Sequence, residues 1–472
     1  MMLTLADCVE FLTGRANGAS RVSFTEVVID SREVRPGALF VALPGERTDG
    51  HLYVGEALEK GAAGALVHQD IMLNPQPAII DVRQPFEPAL LANLNGPVLI
   101  RVDDTLKALQ EIAAGWRARL PVRTIGITGS VGKTTTKETV AAVISQRYDT
   151  LKSEGNLNNE IGLPLTLLRL RPRHQRAVLE MGMYAPGEIA QLAAIAQPHI
   201  GVVTNVGPSH LERLGSLEAI ADAKAELVEA LPPDGTAVLN ADDPIVAEMG
   251  DRTPASVFTY GLTSKANLWA DRIDSLGLDG ISFRMHFRGE TLHVKVPMLG
   301  RHSVHTALAA AAVGLVDHLN WQEILDGLQE PRGQLRLVVV QGINGSTILD
   351  DTYNASPDST LAALNLLDDL DGRKIAVLGD MLELGDYAAE GHEKVGVRAA
   401  SVLDGLITVG ELGRVIGAAA VEAGMAPESV FFAADNAEAI EQLRKILQPE
   451  DTVLVKGSRA LEMEEIVSAI AR

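Results

Sequence analysis

The chain has a single cysteine, Cys8, in 472 residues. No intrachain disulfide can form, and the expected setting is a reducing cytoplasm. Basic residues are also short: 41 Lys and Arg face 62 Asp and Glu, a formal net charge of −21. That balance argues against nucleic acid or an anionic membrane as the main partner, while leaving room for a local basic pocket. No stretch is long and apolar enough to span a membrane, so no membrane insertion is expected. The first residues, MMLTLADCVEFLTG, lack a basic leader and are interrupted by Asp7 and Glu10. They read as a short amphipathic helix rather than a signal peptide. There is neither tandem repeat nor low-complexity tract. What remains is 46% hydrophobic, ample for several cores, and the length suggests about three domains.

The most informative stretch is GITGSVGKTTTKE, Gly126 to Glu138. The phosphate-binding template G-x-x-x-x-G-K-[ST] wants a glycine five residues before Gly132. Ile127 stands there, and Gly129 lies three before it. The working parts survive. Backbone amides at a helix start favour polyphosphate, Lys133 can bridge the β- and γ-phosphates, and Thr134 can hold Mg²⁺. An apolar β-branched run precedes the loop and helical spacing through Val140, Val143 and Ile144 follows it. This strand–loop–helix setting separates a nucleotide loop from an ordinary glycine-rich turn.

Short strands and helices alternate through the first hundred residues, with a Pro-rich segment, MLNPQPAIIDVRQPFEPALLANLNGP, that reads as an irregular insertion. The middle region, 103–328, alternates strand and helix as a mostly parallel α/β sheet does, then turns to period-two antiparallel strands near GISFRMHFRGETLHVKVPM. Residues 329–472 form a second doubly wound α/β pattern. Ligands of such sheets lie beyond the carboxyl ends of the strands. Asp351, Asn354, Asp380, Lys456, Ser458 and Arg459 all fall there.

Three further side chains stand out. Glu180 ends the apolar strand AVLE, where a carboxylate either meets the Mg²⁺ of the phosphate loop or simply faces water. His210 lies in TNVGPSHLERLGS, leaving another buried strand, and reads equally as functional or structural. Lys224, in DAKAEL, is flanked by acids, and by that chemistry alone it belongs to a solvated, charge-balanced helix face.

Seven segments occur in a telling order: GITGSVGKTTTKE, NLNNEIGLPLTLL, LEMGM, TNVGPSHLERLGS with AKAEL, LDDTYNASPDS, LGDMLELG and VLVKGSRALEME. Together they resemble the Mur ligases over nearly the whole chain, and most closely the branch that joins D-alanyl-D-alanine to a UDP-N-acetylmuramoyl-tripeptide. The shortened phosphate loop is that family's own form. IDSREVRPGALFVALPGERTDGH resembles its uridine-nucleotide domain, here 1–102, ahead of an ATP-binding domain at 103–328 and a Rossmann-like ligase domain at 329–472. The resemblance implies an ATP-dependent amide ligase with two Mg²⁺ ions, and a monomer is expected. Ser31, Arg32, Asp49, Gly50 and His51 would frame the UDP-sugar. Gly129, Ser130, Val131, Gly132, Lys133, Thr134 and Thr135 would cradle ATP. Thr134 and Glu180 would hold one Mg²⁺, and His210 with a CO₂-carbamylated Lys224 the second. Lys133, His210 and Lys224 would be the catalytic set. Asn158 and Asn159 would face the muropeptide, with Asn354 another substrate contact, and Arg336 and Asp351 would reach the nucleotide.

One departure concerns adenine. The family often shows G-R-H-N-x-x-N-A-L, with an Asn on the base. Here GRHSVHTAL places Ser303 and Thr306 at those positions, and a hydroxyl lacks the paired donor and acceptor of an amide. Two rivals stand beside this reading. A folylpolyglutamate synthase would lack the uridine region, and a phosphate-loop switch or motor would hydrolyse nucleotide regardless of any acceptor.

Overall fold

The computed structural model describes residues 3–472 except 16–17, 46–47, 86–88, 209–210 and 331–336. His210 and Arg336 therefore lie outside the described residues. The chain is α/β throughout and divides into two compact units, Met1–Gly126 with Tyr148–Gly182 and Glu188–His199, and Ile127–Arg147 with Met183–Gly187 and Ile200–Arg472.

In the first unit a helix at Leu5–Thr13 starts from a capping box in which Thr4 and Asp7 exchange hydrogen bonds. An all-parallel sheet follows, in the order Val27–Val28, Leu39–Val41, Gly64–Val67, Val98–Arg101, Ala78–Asp81. Its apolar residues, among them Phe40, Ala65 and Leu99, are buried against the helix Val54–Glu59. Ala78–Asp81 corrects the reading of residues 72–97 as an irregular insertion. It is an edge strand, with Ile79 45% exposed, and the neighbouring prolines obscure its pattern. Helix Thr105–Ala118, capped by Asp104, buries Trp116, whose indole donates to Leu170 O at 3.2 Å. The strands Thr150–Lys152 and Arg176–Glu180 pair in parallel.

In the second unit, parallel strands Ile200–Val203, Thr236–Asn240, Ser256–Gly261 and Leu268–Ser275 are followed by antiparallel Ile281–Phe287 and Glu290–Val296. The Ala-rich helix Ser303–Val316 and helix Trp321–Gln329 pack on the helix Lys133–Ile144. Gly314 and Gly327 permit that approach, since a Cβ on either would press on Val143. The remaining six strands run in the order Val338–Gln341, Thr347–Asp350, Thr452–Lys456, Lys374–Gly379, Gly405–Val409, Val430–Ala433, parallel except the first. Alternate residues bury on opposite faces: Leu349, Ala376, Leu378 and Leu454 on one side, Ile348, Ile375, Val377 and Val453 on the other. Burial on both faces explains the near-continuous apolar runs. No helix of the described residues is long and apolar enough to cross a membrane.

Candidate active site

Strand Arg123–Thr128 delivers the chain to Gly129, and helix Lys133–Ile144 departs from Gly132. Both glycines take positive φ, 148° and 83°, which L side chains adopt only with strain. A Cβ on Gly129 would also overlap Thr204 Oγ1. Thr204 and Asn205, beyond strand Ile200–Val203, clamp the loop. Ser130 N donates to Asn205 O at 3.0 Å and Val131 N to Asn205 Oδ1 at 2.8 Å. Val131 O accepts from Thr204 Oγ1 and Asn205 Nδ2, each at 2.8 Å. Ser130 Oγ and Gly207 complete the clamp in both directions, at 3.0 and 2.9 Å. With Ser130 and Val131 amides so engaged, the anion-binding face falls to the helix start, where Gly132 offers no side-chain cap. Lys133 folds back over the loop, its Nζ donating to Gly129 O at 2.7 Å and Ser130 O at 3.3 Å. Phosphate oxygens bound there would replace these carbonyls. Sequence reasoning missed Thr204 and Asn205, although TNVG was among the motifs singled out. Gly129→Ala is therefore expected to displace the loop and lower kcat/KM for ATP about 100-fold, the scale of an ångström's misplacement. Steady-state kinetics with varied ATP checks this.

Lys224 overturns its local reading. It is only 2% exposed, inside helix Leu217–Glu229, not on a solvated face. Asp222, two residues away, is exposed, because positions two apart on a helix point in nearly opposite directions. Burial pushes the Lys224 ammonium well below the ordinary lysine range, and the positive charge of Lys133 adds to the shift. Two lysines of the proposed catalytic set thus feel one another's charge.

In the first unit Glu180 is 1% exposed and accepts from Asn158 Nδ2 at 2.9 Å. The Asn159 side chain accepts from Gly162 N, the first residue of helix Gly162–Leu167, at 2.9 Å. Among the described residues no three His, Cys, Asp or Glu side chains form a group that could hold a metal.

The DGH segment is tightly built. Asp49 caps the turn Gly50–Tyr53, accepting from His51 N at 2.9 Å and His51 Nδ1 at 2.6 Å. His51 Nε2 accepts from His68 N at 3.1 Å, which fixes the neutral tautomer with its proton on Nδ1. A Cβ on Gly50 would lie 2.8 Å from Leu43 N and O. Ser31 is buried and its carbonyl accepts from Lys60 Nζ at 3.0 Å, while the exposed Arg32 pairs with Asp30 at 2.6 Å. The His51 amide, with its ring and Gln69, holds the Asp49 carboxyl down at about 2. Because that value lies below the unfolded one near 3.9, its stabilisation is present at neutral pH and disappears as pH falls from about 4 to about 2. Asp49→Ala should cost about 1 kcal/mol at pH 7. Denaturant unfolding of both proteins should show the difference closing over that acidic range.

In the C-terminal region Asp351 accepts from the buried Lys456 Nζ at 2.6 Å, and Lys456 also donates to Asn354 O at 2.9 Å. Asn354 turns its own Oδ1 to Ala355 N at 2.9 Å. Burial pushes the His302 imidazole, just before the helix that carries Ser303 and Thr306, below the ordinary histidine range, and the Asp351 charge opposes that shift. Ser303 Oγ donates to Leu299 O at 2.6 Å, so its hydroxyl hydrogen is taken up by the loop that precedes the helix. His305 Nε2 pairs with Asp242 Oδ2 at 2.8 Å.

Three family models match this chain: "Mur ligase family, catalytic domain" over residues 23–117, "Mur ligase middle domain" over 127–314, and "Mur ligase, glutamate ligase domain" over 335–459. The UDP-N-acetylmuramoyl-tripeptide–D-alanyl-D-alanine ligase of Synechocystis sp. is 38% identical, covering 96% of this chain and 93% of the relative. The crystal structure of MurF from Acinetobacter baumannii superposes with a TM-score of 0.83 at 29% identity, over 99% of this chain and 98% of that one. The MurF ligase of Thermotoga maritima in complex with ADP gives 0.80 at 27% identity, over 98% and 97%.

Proposed function

This chain belongs to the Mur ligase family, and from that premise we propose that it joins D-alanyl-D-alanine to UDP-N-acetylmuramoyl-tripeptide at the expense of ATP, as an enzyme of peptidoglycan synthesis. The observation that carries the reading is the phosphate loop with Lys133 folded over it, together with a second lysine, Lys224, buried in helix Leu217–Glu229. A simple nucleotide switch has no evident use for that second lysine.

The tripeptide's terminal carboxylate attacks the γ-phosphorus, forming an acyl phosphate and releasing ADP. The amine of D-alanyl-D-alanine then attacks the acyl carbon, and phosphate leaves with one of the former carboxylate oxygens. Lys133 moves from the Gly129 and Ser130 carbonyls onto the transferring phosphoryl group. The helix start at Gly132 to Thr135 orients the phosphates, and Thr204 and Asn205 hold the loop in shape. Positioning and charge stabilisation supply most of the rate, as in phosphoryl transfer generally.

Thr134 would offer Mg²⁺ a hydroxyl and Glu180 a carboxylate, both hard oxygen donors of the kind that cation takes. Mg²⁺ would neutralise charge developing on the phosphoryl oxygens. Lys224, whose ammonium form burial disfavours, is suited to capture CO₂, which converts a would-be cation into an oxygen-donor anion; His210 would join it. Ser31, Arg32, Asp49, Gly50 and His51 remain the proposed frame for the uridine nucleotide, Asn158 and Asn159 for the muropeptide, and Thr306, Arg336 and Asp351 for ATP. The buried Cys8 thiol fits a cytoplasmic enzyme, and we take its working unit as a monomer.

Phosphate release measured with each component omitted tests the proposal. Release should require ATP and the UDP-linked tripeptide, and product should form only when the dipeptide is added. ATP turnover indifferent to both acceptors would support the hydrolytic reading instead.

A further inference from the structure

We propose that Arg459, whose guanidinium lies over the Tyr353 ring, receives the C-terminal carboxylate of the acceptor dipeptide. The inference rests on the ligase reading above and assigns one residue to its acceptor site.

Arg459 opens a short turn, Arg459–Leu461, just beyond the carboxyl end of strand Thr452–Lys456. Tyr353 lies in the loop beyond the neighbouring parallel strand Thr347–Asp350, with Asp350 in register with Val455. Both side chains thus emerge where a doubly wound sheet presents its ligand side. The Arg459 guanidinium carbon sits 5.5 Å from the Tyr353 ring centroid. Ser458 fixes the turn from below: its amide donates to Asp380 O at 3.0 Å and its hydroxyl accepts from Leu382 N at 2.8 Å.

The two cations of this segment differ in what they already hold. Lys456 is buried and committed to Asp351 and to Asn354 O. Arg459 is exposed, and among the described residues its guanidinium makes no ion pair. A guanidinium over an aromatic ring gains a cation–π attraction while its edges stay open, and those edges match a carboxylate in a two-pronged pair.

The acceptor needs such a handle. Its amine must be unprotonated to attack, so it brings no charge to the reacting end. Its carboxylate stays charged and takes no part in the bond being made. A cation at that end fixes the dipeptide's direction, and two extended residues span only about 7 Å, so anchoring one end strongly restricts the other.

Arg459→Ala is expected to raise KM for D-alanyl-D-alanine about 10–100-fold, the scale of a lost charge-assisted pair, while KM for ATP and for the UDP-linked tripeptide hold. Arg459→Lys should fall between the two, keeping the charge but not the fork. The sharper readout is D-alanyl-D-alanine amide: wild type should discriminate against this capped dipeptide by a similar factor, and Arg459→Ala should not discriminate. Thermal unfolding checks that the variants fold, and Tyr353→Ala, which leaves Arg459 without its platform, should raise the same KM by less. An unchanged dipeptide KM, a parallel rise in all three, or a variant that still rejects the capped dipeptide would overturn the assignment. Wild-type product formation that ignored the dipeptide would instead defeat the ligase reading itself.

Discussion

Lys224→Arg is expected to lose about 10²–10³-fold or more in turnover, although it keeps a positive charge at the position. Removing one group that stabilises transition-state charge has that scale. The argument starts from burial. Lys224 is almost wholly inside the protein, and both desolvation and the Lys133 charge disfavour its ammonium form. A neutral amine there can add to CO₂, whereas a guanidinium keeps its proton under these conditions. Lys224→Ala should be as inactive, and short-chain carboxylates added in solution should restore part of its turnover by filling the vacated space with an anion. They should do nothing for Lys224→Arg. Removal of dissolved CO₂ should slow the wild type reversibly. Near-normal turnover of Lys224→Arg would end the carbamate account.

Glu180→Gln should reduce turnover on the same scale with little loss of stability. The amide keeps the shape of the side chain and an oxygen for Asn158 Nδ2 while removing the charge a divalent cation requires. Partial recovery at high Mg²⁺ is the expected signature of a weakened ligand. Glu180→Ala is the less clean variant, since it leaves the Asn158 amide without this partner at a cost of about 1–3 kcal/mol. Kinetics over a Mg²⁺ series, with urea unfolding of each variant, separates the two effects. Wild-type kinetics of Glu180→Gln at low Mg²⁺ would remove Glu180 from the metal.

The fold was readable wherever one pattern dominated. The strands of the C-terminal sheet are apolar on both faces, and their runs stand out between helices. Edge strands did not, because one face and one edge meet solvent: Val338–Gln341 shows Val338 47% exposed, and Ala78–Asp81 lies among prolines. At the site, Gly129, Gly132, Lys133 and Thr134 were legible because the phosphate loop is local in sequence. Thr204 and Asn205 act on it from more than seventy residues away, and no local pattern carries that contact. Lys224 shows the opposite failure. Its charged neighbours were visible, but their direction on the helix decides the outcome, and the buried side belongs to the lysine. In the DGH segment the motif was visible while its internal wiring, Asp49 to His51 to the His68 amide, was not.

The most direct test of the central claim follows one oxygen. The UDP-linked tripeptide is prepared with ¹⁸O in its terminal carboxylate and turned over with ATP and D-alanyl-D-alanine, and the released phosphate is analysed by mass spectrometry. Ligation through an acyl phosphate transfers one labelled oxygen to each phosphate. Phosphate free of label, with its new oxygen drawn from water, would show hydrolysis of ATP without activation of the carboxylate and would contradict the account.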